Sequence, residues 1–404
     1  MNIKEVILNA KRFEASDIHI ICNDYITLRI DGKLTRYSSK VVDSYNCRNF
    51  CDDLIGSDET KLRKRYERYL DEECGEVDFS RDFDFLDLEN EVENDDIKNN
   101  KIMGNDINRY IKEDVKEYSF YNVELNKDEL NKDELNKEDT NSFRIRVNIY
   151  RRNEGDCISI RLIPGHVKTA KELNIPDIVC SSGDLKSGII LITGATGSGK
   201  STTLAAIIDR INKTSKKHII TLEEPIEYLH KSDKSIISQR ECGKDTVDFL
   251  DGLKSSLRQD PDVIMIGEIR DKKTVETALS ASETGHLVLS TVHTSKASEA
   301  IDRIVNLFEA ERHKEIRGLL ANQLRYVFSQ RLIKANNGRR AIFEIMKNTN
   351  SIAAMIREGK DESIDDMIKT GKKYGMQMFE EQIETLYREG IISEEIYLDE
   401  INNR

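Results

Sequence analysis

Apolar positions recur along this chain with two different periods, and the change of period divides it. Residues 2–13 place Ile3, Val6, Ile7 and Ala10 on one stripe, which predicts a helix. "DIHIIC" and "YITLRI" follow as strands with Asn23-Asp24 as their turn, and Asp31-Gly32 turns the chain into "KLTRY". Residues 41–70 read as helical, and "FRIRVNIYRR" and "DCISIRLIP" predict another strand pair around "NEG". Together these predict a small mixed α/β domain over residues 1–164. From Ser187 the pattern becomes "GIILIT", "HIITL", "DVIMI" and "HLVLST", separated by amphipathic stretches. Continuous apolar strands with helices between them imply a parallel sheet covered on both faces, expected within residues 165–340. After about residue 311 the chain reads as mainly helical, interrupted by "RRAIFEIM", with helices near 349–358, 361–371 and 376–390. Residues 341–404 are therefore expected to form a mainly helical C-terminal segment.

Charge changes this picture in one place. The chain has 404 residues and a net charge of −12, but residues 87–140 carry 17 acidic and 8 basic side chains, a net of −9. They include the period-five repeat "ELNKDELNKDELNKED" and few apolar groups. Such a composition buries too little surface to offset ordering entropy, so a disordered acidic insert is expected between two strands of the first domain. An isolated charged helix over 124–139 is the competing reading. An acidic chain without a basic, aromatic-interleaved stripe is a poor nucleic-acid binder. The seven cysteines are scattered with no CxxC pair, which suits reduced thiols in a cytoplasm; Cys47 and Cys51 are spaced as half a metal site, but no second pair completes it. The start, with Lys4 and Glu5, does not read as a signal peptide. The longest apolar runs are strand-sized, against the ~18–20 residues needed to span a bilayer, so any membrane association is expected to be peripheral.

The candidate chemistry begins at "GATGSGKS", Gly194 to Ser201, which fits G-x-x-x-x-G-K-[ST] between a buried strand and the helix "KSTTLAAIIDRIN". Glycines let backbone N–H groups turn onto phosphates, and the helix N-terminus adds partial positive charge. The expected nucleotide-binding set is Gly194, Thr196, Gly197, Ser198, Gly199, Lys200, Ser201 and Thr202. Lys200 would bridge the β- and γ-phosphates of ATP, and Ser201 would ligate Mg²⁺. Glu223 and Glu224 end the strand of "TLEEPIEY", where hard oxygen ligands for Mg²⁺, direct or through water, are expected; two solvated loop acids are the alternative. Glu268 follows "DVIMI" and Gly267 and is placed to polarise an attacking water, or else merely caps a helix. His286 and His293 bracket the fourth strand as candidates for sensing the γ-phosphate or the water, against a purely structural hydrogen-bonding role. Arg144, Arg146 and Arg161, with Arg151 and Arg152 beside them, are candidates for an arginine delivered to a neighbouring subunit; a solvated basic strand face is the alternative.

In order, "ASDIHI", "RIDGKL", "FRIRVN", "GATGSGKSTTLAA", "HIITLEEPIEY", "SLRQDPDVIMIGEIRD", "TALSASETGHLVLSTVHT" and "IDRIVNLF" resemble the secretion and type IV pilus motor ATPases. The resemblance is closest to the PilT-type retraction branch and covers nearly the whole chain apart from the acidic insert. It implies an N-terminal PAS-like mixed α/β domain plus a RecA-like P-loop ATPase domain with a helical C-terminal tail. It implies a homohexamer with ATP between subunits, in the cytoplasm at the inner face of the membrane, acting on an inner-membrane platform protein. Glu223 matches the family's Asp-box acid, Glu268 its Walker B glutamate, and His286 with His293 its His box. No cysteine follows Cys242, so the zinc insert usual in the assembly and export branches is absent, and "SIAAMIREGK" and "GMQMFEEQIETLYREGIIS" are similar to the retraction branch's tail. Three departures stand out: Ala195 where the family commonly has proline, Glu224 where it has aspartate, and Glu154 near the position of the family's arginine after "RVN".

The function these expectations compose is a mechanochemical ATPase driving type IV pilus retraction, with a pilus-assembly, type II secretion or DNA-uptake ATPase as the alternative. A small-molecule kinase, a nucleic-acid motor and a nucleotide-gated regulator are the readings from other classes. The first lacks a visible acceptor pocket and lid, and the second lacks a basic stripe.

Overall fold

The computed structural model describes residues 2–30, 32–56, 61–71, 74–84, 88, 142–163, 167–336 and 338–402. The chain forms two compact units, Met1–His166 and Val167–Arg404.

The first unit is one antiparallel sheet in the order β3-β2-β1-β6-β5-β4. Its strands are β1 (Asp17–Ile20), β2 (Asp24–Ile30), β3 (Lys33–Val42), β4 (Glu76–Asp84), β5 (Ser142–Arg152) and β6 (Gly155–Ile163). β5 shows why it forms: Phe143, Ile145, Val147 and Ile149 are buried while the arginines between them face outward, the period of two that a half-buried strand requires. Helices Ile3–Arg12 and Ser44–Ile55 pack on the buried face, and the side chains of Asn2 and Asp43 accept from the amides of Lys4 and Asn46 at their starts. Such caps contribute about 1 kcal/mol each. β3 runs on to Val42, so the stretch read as helical over 41–70 starts only at Ser44, and it holds two helices, Ser44–Ile55 and Lys61–Leu70. β4 was not expected; in "EVDFSRDFD" acidic residues alternate with Val77 and Phe79 and mask the apolar period. β4 and β5 pair from Glu76↔Tyr150 to Asp84↔Ser142, so the acidic stretch joins the two strands at one end of their ladder. The expectation about residues 87–140 itself falls, Leu88 apart, outside the described residues.

The second unit holds a seven-stranded sheet, order β13-β12-β7-β11-β10-β8-β9. β7 (Gly188–Thr193), β8 (His218–Glu223), β10 (Val263–Ile266) and β11 (Leu287–Val292) are the four expected parallel strands, joined by β9 (Ile236–Glu241), β12 (Leu324–Ala335) and β13 (Gly338–Lys347). β12 pairs parallel to β7, and only β13 runs antiparallel to its neighbour. The continuous apolar runs now make sense. Ile189 and Leu191 of β7 face one core with Leu222, Ile264 and Val288, while Ile190 and Ile192 face a second core with Ile219, Met265 and Leu289. Helix Lys200–Thr214 covers the second face; helices Lys272–Glu283, Ala297–Val305, His313–Gln323 and Asn350–Glu358 cover the first.

Two expectations change. Residues after 311 are not mainly helical up to "RRAIFEIM": β12 precedes it and forms a hairpin with it. The boundary expected at 340 falls inside β13, and Ile352, Ile356, Ile364 and Ile368 pack into the same core as the sheet. Their helices have one apolar face each, and burying that face on the sheet makes 167–404 a single unit.

Candidate active site

The carboxyl ends of β7, β8, β10 and β11 lie side by side, since all four strands are parallel. The loop after β7 turns through three left-handed glycines, Gly194, Gly197 and Gly199, into helix Lys200–Thr214. At Gly194 the requirement is absolute: a Cβ would lie 2.4 Å from the Gln330 carbonyl oxygen and 2.5 Å from Ser198 Oγ. Thr196 and Gly197 at the tip are exposed, whereas Ser198 and Lys200 are buried. Lys200 Nζ donates to the Gly194 and Ala195 carbonyls at 2.7 and 3.0 Å. Burial lowers its pKa, and the negative charges of Glu268 and Glu227 oppose that. Thr202 Oγ1 lies 2.8 Å from the Tyr228 hydroxyl. The buried Ser198 Oγ has no hydrogen-bond partner among the described residues. A loop with left-handed glycines, a buried ammonium and an unspent hydroxyl fits a polyphosphate.

Glu223, the last residue of β8, is buried and accepts from Thr221 Oγ1 (2.7 Å), Gln239 Nε2 (3.2 Å) and the Glu227 amide (3.3 Å). All three donors are neutral, and burial drives its pKa up against them. Glu224 parts from it: its side chain is exposed and pairs with Arg270 at 3.3 Å. Glu268 stands just beyond β10. Its Oε2 accepts from Arg270 Nε at 2.8 Å, and its Oε1 lies 3.4 Å from His293 Nε2. His293 follows β11, and Arg303 of helix Ala297–Val305 donates to its carbonyl at 3.3 Å. Lys200, Glu268 and His293 thus converge at adjacent strand ends. Ser201 adjoins them at the first turn of the loop's helix, and its hydroxyl and the carboxylate of Glu223 are hard oxygen donors of the kind Mg²⁺ prefers.

Other candidates are not brought there. His286 precedes β11 at the amino end of the sheet, and its Nδ1 lies 2.9 Å from the Ala281 carbonyl and 3.1 Å from Thr284 Oγ1. Its carbonyl accepts from Gly188, the first residue of β7, so it sits about 20 Å from the phosphate loop at the strand's other end. Bracketing one strand placed the two histidines at opposite edges of the sheet. Arg146 and Arg161 belong to the first unit and are paired there, Arg146 with Asp78 (2.5 and 3.2 Å) and Arg161 with Asp17 (3.0 Å). Arg144 lies on the same strand as Arg146, in register with Ile163 of β6. Two residues at the site were not expected: Arg270, whose place after "GEI" carries no local signal, and Gln330, whose side chain reaches the loop from β12.

The model of the Type II/IV secretion system protein family matches residues 137–400. The chain belongs to that family. Among the curated relatives of this chain is the type IV pilus retraction ATPase PilT of Pseudomonas aeruginosa. It is 45% identical over 253 residues, which are 62% of this chain and 74% of that protein. A twitching motility protein of Neisseria gonorrhoeae is 44% identical over 257 residues, 63% of this chain and 69% of that protein. Of solved structures, the pilus retraction motor PilT with bound ADP superposes with a TM-score of 0.74 at 32% identity, covering 99% of this chain and 96% of that one. The mixed α/β architecture of both units agrees with that neighbour. Among the described residues no helix is long and apolar enough to cross a membrane.

Proposed function

We propose that this chain drives type IV pilus retraction as a homohexameric motor at the inner face of the membrane, acting on a platform protein there. It is an ATPase. The observation that carries the reading is the meeting of Lys200, Glu268 and His293 at three neighbouring strand ends around a phosphate loop. Gly194, Thr196, Gly197, Ser198, Gly199 and Thr202 would cradle ATP through the loop and the helix start, with Lys200 on the β- and γ-phosphates. Ser201 and Glu223 would hold Mg²⁺, which would neutralise charge on the phosphates. Glu268 orients the attacking water and takes its proton as the water oxygen bonds the γ-phosphorus and the bond to the β–γ bridging oxygen breaks. His293 fixes Glu268 from one side and Arg270 from the other, which leaves the carboxylate little freedom. An arginine of a neighbouring subunit's N-terminal PAS-like domain, drawn from Arg144, Arg146 and Arg161, would balance charge on the transferring phosphoryl group. His286 has no part in the hydrolytic site of its own protomer.

Support for retraction over assembly comes from identities of 44–45% to relatives named for retraction and twitching motility. Deleting the gene in its source organism tests it: excess surface pili with lost surface motility supports retraction, and bald cells overturn it in favour of assembly.

A further inference from the structure

The β12–β13 hairpin supplies none of the nucleotide-binding or catalytic residues named above, yet it touches both halves of the site. Consecutive strand residues point to opposite faces. Gln330 therefore faces helix Lys200–Thr214, while Ser329 faces the helices on the other side. Gln330 is 2% exposed, its Nε2 donates to the Ser198 carbonyl at 2.8 Å, and its Oε1 accepts from Thr203 Oγ1 at 2.8 Å. The fit is close enough that a Cβ on Gly199 would lie 2.9 Å from that Nε2, and one on Gly194 would strike the Gln330 carbonyl. The phosphate loop is moulded on this residue.

On the opposite face, Thr193, Ser329 and Glu344 stand in register across β7, β12 and β13. Glu344 is 1% exposed, and its Oε1 accepts from Ser329 Oγ at 3.0 Å and from the Ala297 amide at 2.8 Å. Ala297 is the first residue of the helix whose Arg303 grips the His293 carbonyl. A carboxylate buried among apolar neighbours is costly, and only what it anchors offsets that cost. The groups around it are few: Lys296 and Asp365 act on it at longer range, and Lys296 and Ser298 both bond Asp365 at 3.4 and 3.0 Å.

We propose that this hairpin is the common mount of the nucleotide site, with Gln330 positioning the phosphate loop and Glu344 positioning the segment that carries His293. The proposal rests on the ATPase reading above. It predicts different kinetic signatures for the two residues, which a general loss of folding would not produce. Gln330 acts on ground-state nucleotide, so Gln330→Met weakens affinity. Glu344 acts on His293, so Glu344→Leu lowers kcat and spares affinity.

The test uses the full chain, with equilibrium titration of a fluorescent ADP analogue, steady-state ATP hydrolysis and thermal unfolding measured on each variant. Gln330→Met is expected to weaken ADP binding about tenfold, the worth of two lost hydrogen bonds. Glu344→Leu is expected to lower kcat about tenfold with ADP binding held within about twofold, and Glu344→Gln, which keeps the acceptor, to restore kcat. Ala297→Pro deletes the same bond from the other side at a first-turn position that tolerates proline, and serves if Glu344→Leu does not fold. It is expected to match the Glu344→Leu kcat. Wild-type affinity in Gln330→Met, wild-type kcat in Ala297→Pro, or equal losses of affinity and kcat that follow the melting temperature overturn the proposal. Failure of the wild-type chain to bind ADP or hydrolyse ATP instead overturns the ATPase reading.

Discussion

The two units differ in the charged groups they bury without a matching charge. In the first, cations are matched within the unit: Arg146 with Asp78, Arg161 with Asp17, Arg48 with Asp156 at 2.5 Å. In the second, groups at and around the carboxyl ends of the parallel strands are held in costly states. Lys200 is buried on backbone carbonyls, Glu223 is buried among neutral donors, and Glu344 is buried with one oxygen unpartnered among the described residues. Proteins keep such arrangements where a ligand or a reaction relieves them. The contrast marks the sheet's carboxyl edge as the part where a bound ligand has most to relieve.

The largest test of this contrast is Lys200→Ala, expected to cut ATP turnover by about 10³-fold in a phosphate-release assay. Retained turnover would place the nucleotide elsewhere. Next comes Glu268→Gln, expected to lower kcat by about 10²- to 10³-fold while equilibrium ADP binding stays near wild type. His293→Ala against His286→Ala follows: the first is expected to lower kcat about tenfold or more, and the second to leave single-site chemistry intact. Equal losses would mean that position along β11 does not decide function. A pH series is subtler. Burial raises the Glu344 pKa in the folded chain above its unfolded value, so the carboxylate penalises folding at neutral pH, and stability returns as pH falls through the folded pKa. Glu344→Gln should therefore melt higher than wild type at pH about 8, with the gap closing towards acid, read by thermal unfolding. The smallest effect is Asp78→Asn, which removes a half-exposed pair worth at most about 1 kcal/mol. A loss of turnover well beyond that loss of stability would show that the Asp78–Arg146 pair also serves the catalytic site.

What the sequence reveals of the fold and the site, and what it hides, divides along the same line. β7, β8, β10 and β11 announce themselves because both faces are covered, which demands unbroken apolar runs such as Ile189 to Ile192. β12 hid because Ser329, Gln330 and Arg331 interrupt its apolar run, and two of these are the residues that engage the site and its supports. The loop residues 194–202 were legible because the phosphate-binding conformation needs glycine at fixed spacing. Arg270 was not, since a lone arginine beside a carboxylate carries no spacing signal. His286 misled for a simpler reason: adjacency in a motif says nothing of distance when a strand separates two residues.

The pairing of Asp84 with Ser142 has an evolutionary consequence. Because those two positions are neighbours across a ladder, whatever chain joins them closes a loop whose ends the sheet already holds together. The entropy of such closure grows only with the logarithm of length, so doubling the span costs about 0.6 kcal/mol. This junction is thus a site where a lineage can lengthen, shorten or rewrite sequence almost without penalty to the sheet, and the long acidic stretch found there is what such freedom permits.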